Sequence, residues 1–349
     1  MKQYSYLAED NRLYRLSDLG DPLEKVSSII DWNLFRPILD KAFKKEPKGP
    51  GGRPPIDRVL MFKIMMLQQW YHIADDNTEY QINDRLSFQR FLGLTLSDRV
   101  PDAKTIWAFK EHLKQTNTDL ELFMLFAQLM EDHGVITRKG SIVDASFVDV
   151  PRQSNTRKEN EIIKEGNIPE EWQSDDKINK LEQKDTDARW AKKNDEVHFG
   201  YKTHAKVDQE SKMIVDCVVT SADVHESQTL HELLDKKDRV VYGDSAFVGE
   251  DLHAAIRTDN PQIEFRINER AYKNKPLTDE QKESNRAKSS IRVRVEHVFG
   301  HMAVAMGGMT IRCIGLSRAI REITMKNLAY NIHRYTYLVR AGLAQKLAT

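Results

Sequence analysis

Apolar residues recur every three to four positions through Pro55–His72, and again through Thr105–Leu113 and Asp119–Met130. That spacing lines one face of a helix. Asp102, which follows Pro101, has a side chain suited to start the second of these helices. Two breakers interrupt the pattern. KGPGGRPP at residues 48–55 holds three glycines and three prolines and must turn, and a second break falls in FLGLTLSDRVPD at 91–102. Residues 1–135 therefore read as an all-helical N-terminal domain of several short helices.

The periodicity changes after Gly140. Ser141–Val150 is apolar and β-branched, as a buried strand is. Residues 152–196 are rich in Lys, Glu, Asp, Asn and Gln and read as an inserted, partly helical or mobile excursion rather than core. Strand patterns resume at Val197–Asp208 and Lys212–Ser221, followed by a helix over Glu226–Leu234 and a strand at Arg239–Asp244. Next come a helix over Glu250–Arg257 and a strand at Gln262–Ile267. A long helix beginning near Asn285 or Ser290 carries Glu296, and an amphipathic helix covers Ser317–Ala341. Three sequential strands predict an antiparallel meander, and the later strands predict helical crossovers. The order is that of an α/β, RNase H-like mixed sheet, so residues 136–349 form the second domain, with 152–196 as a charged insertion and the last helices at its end.

Composition adds bounds. Of 349 residues, 40% are hydrophobic and 30% charged, enough for a sizeable core. No apolar run approaches the ~20 residues that span a bilayer, and MKQYSYLAED lacks the basic and apolar blocks of a secretory signal. The two cysteines, Cys217 and Cys313, make neither a disulfide framework nor a thiolate metal site, which fits a reducing cytosol. The histidines His198, His204, His225 and His231 lack zinc-module spacing. Net charge is zero, yet three stretches are basic: Arg266–Arg294 at +5, Ile311–Thr349 at +6 and Lys41–Arg53 at +4. Such segments on a neutral chain are compatible with phosphate contacts, but charge runs are more often plain solvated faces.

Candidate chemistry lies in the acids. Cleaving and joining phosphodiesters calls for an activated oxygen nucleophile and relief of charge on the leaving oxygen. Two divalent cations about 3.5–4 Å apart held by carboxylates supply both. Asp144 sits mid-strand in SIVDAS, Asp244 ends RVVYGD, and Glu296 lies on RVRVEHVFGHM, whose apolar positions turn part of that helix to the core. An aspartate in a buried strand is costly unless paired or metal-bound. Asp149, Asp208 and Asp216 also lie near predicted strands, and Asp244 could simply cap a helix, so spacing alone does not single out the three.

The chain resembles the DDE transposases of bacterial insertion sequences, specifically the insertion-sequence-five (IS5-like) group, from residue 30 to 335. The resemblance rests on GGRPPIDRVLMFKIMMLQQWY, INDRLSFQRFLGL, VPDAKTIWAFKEHL, IVDASFVDVPRQ, HFGYKTHAKVD, TSADVHESQTLHELL, VVYGDSAFVG and IRVRVEHVFG, all in order. It implies an RNase H-like catalytic fold and two Mg²⁺ ions, with Mn²⁺ as a substitute, held by Asp144, Asp244 and Glu296. It also implies cleavage at terminal inverted repeats with joining of the 3′ ends to target DNA, a homodimer or higher oligomer on DNA, and a cytoplasmic, nucleoid-associated bacterial protein. In the family's Y-x2-R-x3-E-x6-K pattern, Arg292 fills the arginine position, whereas Ser289 and Ala303 stand at the tyrosine and lysine positions. DNA-contact candidates are Arg292, Arg294, Lys202, His204, Arg152 and Arg53. The alternative is an RNase H-like endonuclease, or a domesticated DNA-binding regulator, without strand transfer.

Overall fold

The computed structural model describes residues 6–44, 55–174, 178–193, 195–272 and 276–347. They group into one unit of residues 1–126 with 325–349, and another of residues 127–324.

The first unit is helical. It contains α1 (Tyr6–Asp18), α2 (Pro22–Ser27), α3 (Arg36–Ala42), α4 (Arg58–Tyr71), α5 (Asp75–Asp84), α6 (Leu86–Leu92) and α7 (Ala103–Gln115), with α8 (Thr118–Asp132) reaching its boundary. Local chemistry sets the ends. Asp57 caps α4 by accepting from the Leu60 amide at 2.9 Å, and Asp102 caps α7 through Thr105 at 2.8 Å. The apolar stripe of α4, including Phe62, Ile64, Met66 and Leu67, is buried. Residues 325–349 belong here, although the sequence pattern had run the second domain to the C-terminus. Leu328, Ile332 and Tyr335 are buried, the Trp70 indole donates to the Ala329 carbonyl at 2.9 Å, and His333 stacks on the same indole. The KGPGGRPP turn, with Arg53, lies almost wholly outside the described residues.

The second unit is built on a six-stranded mixed sheet. Its strands are β1 (Ser141–Asp149), β2 (Arg189–Lys193), β3 (Glu196–Asp208), β4 (Ile214–Ser221), β5 (Val240–Gly243) and β6 (Glu264–Ile267). β3 pairs antiparallel with β1 and with β4, giving the expected meander, while β5 lies parallel to β1 and β6 parallel to β5. A helical passage ending in α11 (Leu230–Leu233) leads into β5, and α12 (Glu250–Asp259) crosses from β5 to β6. Helix α13 (Asp279–Ala305) then packs against β1 and β5, and α14 (Leu316–Arg340) follows. This is the RNase H-like mixed sheet that the strand order predicted.

Two further sequence expectations differ from the structure. The excursion after β1 is not wholly outside the core: it holds α9 (Arg157–Lys164), α10 (Ile178–Glu182) and strand β2, and it buries Ile163, Trp172 and Ala188. β2 (RWAKK) escaped notice because its positions are half-buried or exposed, so it shows no apolar alternation. Helix α13 begins at Asp279 rather than near 285, because Thr278 and Gln281 form a reciprocal capping box ahead of a polar first half. No helix among the described residues is long and apolar enough to cross a membrane.

Candidate active site

Two strands set the centre. Ile142 on β1 is level with Tyr242 on β5 in the parallel register, and Asp144 and Asp244 each follow two residues later, near enough for the Asp244 charge to act on Asp144. Val143 packs beside Gly243, in the cluster with Leu230, Phe247 and Ile267. Alternation along a strand therefore turns Asp144 to the opposite face, the one that α13 covers. Gly243 is needed here, because a Cβ would stand 2.9 Å from the Phe247 ring and 3.0 Å from Ile267. Asp244 begins a single helical turn, Ser245–Phe247, and accepts from the Ala246 amide at 2.8 Å. It is both a cap and a neighbour of Asp144, so the two readings of this residue coexist.

Asp144 is largely buried. Its carboxylate accepts from the Ala145 amide at 2.8 Å and lies 3.7 Å from the Arg292 guanidinium, which α13 brings over β1. Burial pushes the Asp144 carboxyl up to about 6, and Asp244 and Glu226 push it the same way, against the Ala145 amide and Arg292. Arg292 is held in turn with its Nε buried and without a hydrogen-bond partner. Glu296 follows Arg292 by one helical turn, but its side chain is exposed. The structure thus joins Asp144, Asp244 and Arg292, and leaves Glu296 on the helix surface. Among the described residues, no three His, Cys, Asp or Glu side chains close into a metal cluster.

The donor chemistry nonetheless suits a hard cation. Two neighbouring carboxylates offer oxygen ligands, and burial, reinforced by Asp244 and Glu226, raises the proton affinity of Asp144 despite Arg292, so a cation there would offset the cost of its charge. Mg²⁺ retains several waters and asks for only one or two protein carboxylates.

The remaining candidates disperse. Lys202 and His204 pair with Phe147 and Ala145 across β1 and β3, which puts them on the face away from Asp144. His204 is fully buried with its Nε2 at 2.9 Å from the Thr220 hydroxyl, and burial pushes its pKa down to about 4, so it is no surface contact. Lys202 donates to the Val224 carbonyl and lies over the Phe147 ring. Arg294 donates to the Gln209 carbonyl, and Arg152 is exposed beside Trp190. Ser289, at the family's tyrosine position, accepts from the Asn268 amide at 3.0 Å.

Glu226 was missed by sequence reading. It is buried in the turn Glu226–Thr229, which packs on the turn that follows Asp244, and its nearest cation is Lys193 at 3.6 Å. A lone acid in a polar stretch carries no periodic signal.

Residues 11–112 match the family model described as "Transposase domain (DUF772)". The cryo-EM structure of a piggyBac transposase synaptic complex with hairpin DNA is similar at a TM-score of 0.44 and 10% identity, covering 93% of this chain and 75% of that one. Residues 137–332, more than half of the 349, match the family model described as "Transposase DDE domain", and the chain belongs to that family.

Proposed function

We propose that this transposase belongs to the insertion-sequence-five (IS5-like) group, binds the terminal inverted repeats of an insertion sequence, cuts the DNA at the element ends and joins the freed 3′ ends to target DNA. The observation that carries the reading is the proximity of Asp144 on β1 to Asp244, just past the end of the parallel strand β5, with Arg292 against the first. Asp144, Asp244 and Glu296 are its three carboxylates, and together they would hold two Mg²⁺ or Mn²⁺ ions. When bound, the ions supply charge relief on the scissile phosphate and lower the proton affinity of the attacking oxygen.

The chain's own groups do the rest. Asp144 is kept in one rotamer by the Ala145 amide and Arg292, and Asp244 by the Ala246 amide, so neither carboxylate has to be ordered when substrate arrives. In the first step, water forms a bond to phosphorus at the element end and the bond to the 3′ oxygen breaks, releasing a 3′ hydroxyl and a 5′ phosphate. In the second, that hydroxyl forms a bond to a target phosphorus and displaces the target's own 3′ oxygen. Arg292 stands where it can pass from Asp144 to a phosphate oxygen as negative charge builds. Joining both ends in one event requires two active sites, hence a dimer or larger assembly on DNA.

Incubation with DNA carrying its own gene's flanks and Mg²⁺ tests the reading, with cut and joined positions mapped by sequencing. Cuts at the element ends that vanish in Asp144→Asn are expected. Cutting that persists in that variant would sink the assignment. Cuts without joined products, even from a pre-cleaved end, would make the protein an endonuclease instead.

A further inference from the structure

Beyond the end of β1 the chain builds a second polar site that the chemistry above does not use. A pocket of about 480 Å³ is lined by Arg152, Gln153, Ser154, Lys180 and Lys184, among others, and no acidic side chain lines it among the described residues. That volume falls within the ~300–1,000 Å³ of ligand pockets.

Its cations are positioned rather than loose. The Arg152 guanidinium sits 5.7 Å from the centre of the Trp190 ring and donates to the Val197 carbonyl at 3.0 Å. Lys184 donates to the Ser154 carbonyl at 2.9 Å and the Asn155 amide oxygen at 2.7 Å, with its ammonium 5.6 Å from the Trp172 ring. Both sets of partners are neutral, so neither charge is cancelled by these contacts. Lys180 differs: Glu159 at 2.9 Å takes most of its charge. Two fixed cations whose contacts are neutral, in a pocket with no acid among its described lining, make a recognition site for an anion.

Which anion follows from where the pocket lies. Arg152 is eight residues beyond Asp144 (152 less 144) on the same chain, which leaves β1 at Asp149. At ~3.3 Å per extended residue the two are at most ~26 Å apart, about seven or eight base pairs of duplex at ~3.4 Å each.

We propose that this pocket is a backbone-phosphate site for the DNA being cut, with Arg152 and Lys184 as its anion-binding groups. This rests on the transposase reading above, and it adds a grip on the strand away from the scissile bond. Trp190 and Trp172 keep the cations in place, so the site is ready before DNA arrives.

The test uses the full-length protein and duplex DNA carrying an element end, with binding followed over a series of salt concentrations. Losing two phosphate contacts should lower the slope of log K against log salt by about 1.8. Arg152→Gln with Lys184→Gln is therefore expected to weaken binding at least tenfold and flatten that slope by between one and two. It should do so equally on end DNA and on DNA of scrambled sequence. Arg152→Lys with Lys184→Arg, which keeps the charge, should restore most of the slope. In phosphate-ethylation interference, the double Gln variant should lose protected positions within about eight base pairs of the cut.

An unchanged slope and unchanged interference pattern in the double Gln variant would overturn the proposal while leaving the transposase reading intact. Wild-type protein that fails to bind end DNA at all would instead overturn both. Both variants should keep the wild-type melting temperature, because Arg152 is exposed and Lys184 only half-buried; weaker binding with an unshifted slope would mean the pocket shapes the protein without touching phosphate.

Discussion

Arg292 holds its guanidinium 3.7 Å from the Asp144 carboxylate, and this contact joins α13 to the central strand of the catalytic sheet. The pair is distant for a hydrogen bond, and both side chains are mostly buried. Asp144 consequently keeps a raised proton affinity despite its cationic neighbour.

That balance predicts a gain of stability on removing the charge. Below about pH 3 the Asp144 carboxyl is protonated in folded and unfolded chains alike, and the difference is nil. As pH rises from its ordinary 3.8 to about 6, the unfolded chain gives up the proton first, so folding stability falls. Above that window the loss is complete, at most about 3 kcal/mol by the ~1.4 kcal/mol per pK unit relation. Asp144→Asn should therefore raise the denaturant midpoint at pH 7.5, lose most of that advantage at pH 4, and abolish cleavage. A midpoint lowered equally at both pH values would show that Asp144 is a structural acid.

Arg292→Ala removes the counter-charge from Asp144. End cleavage should fall by about 10–100-fold, the usual effect of removing a group that orients a ligand. The acid limb of its pH–rate profile should move to higher pH, since Asp144 then holds its proton longer. Arg292→Lys should recover part of the rate and move the limb back. A purely structural arginine would lower the rate without moving the limb.

How much of this could be read from the chain depends on whether a residue announces itself by pattern. Asp144 and Asp244 were legible as candidates because each interrupts or ends an apolar strand, where a charge needs a reason, but Asp149, Asp208 and Asp216 share that setting and the pattern alone did not choose among them. The meander of β1, β3 and β4 was legible for the same reason, since β-branched runs separated by turns leave little choice. β2 was not, because RWAKK is never more than half-buried. The inward turn of Lys202 and His204 away from Asp144 was invisible too: it depends on the register Ala145 with His204, and a one-residue slip would reverse it. Glu226 and the Arg152 pocket join segments distant in sequence, and nothing local marks them.

Gly200 makes a separate prediction about that register. It sits opposite Asp149 at φ +149°, where an added Cβ would run into the Val148 carbonyl and come within 3.0 Å of the Val150 amide. Both the backbone conformation and the space exclude a side chain. Gly200→Ala should cost about 1–3 kcal/mol, read as a lowered urea midpoint, and it should weaken catalysis by moving the end of β1. A variant with wild-type stability would mean that the two strands part freely there.

Lys206 offers the sharpest test of what holds β1 in place. It is fully buried on β3 opposite Val143, with its ammonium 3.0 Å from Asp238 and 3.1 Å from Asp235. Asp238, also fully buried, accepts from the Ser141 hydroxyl at 2.6 Å at the start of β1. Lys206→Met leaves the Asp238 carboxylate buried without its closest cation, since Arg138 stands off at 3.8 Å. Removing one partner of a buried pair costs about 3–5 kcal/mol, whereas replacing both can be near neutral. Lys206→Met should therefore be strongly destabilising, and Lys206→Met with Asp238→Leu should recover much of the loss despite carrying two changes. If the double variant is as unstable as the sum of the singles, the two side chains are uncoupled. The register that sets Asp144 beside Asp244 would then rest on the backbone ladder alone.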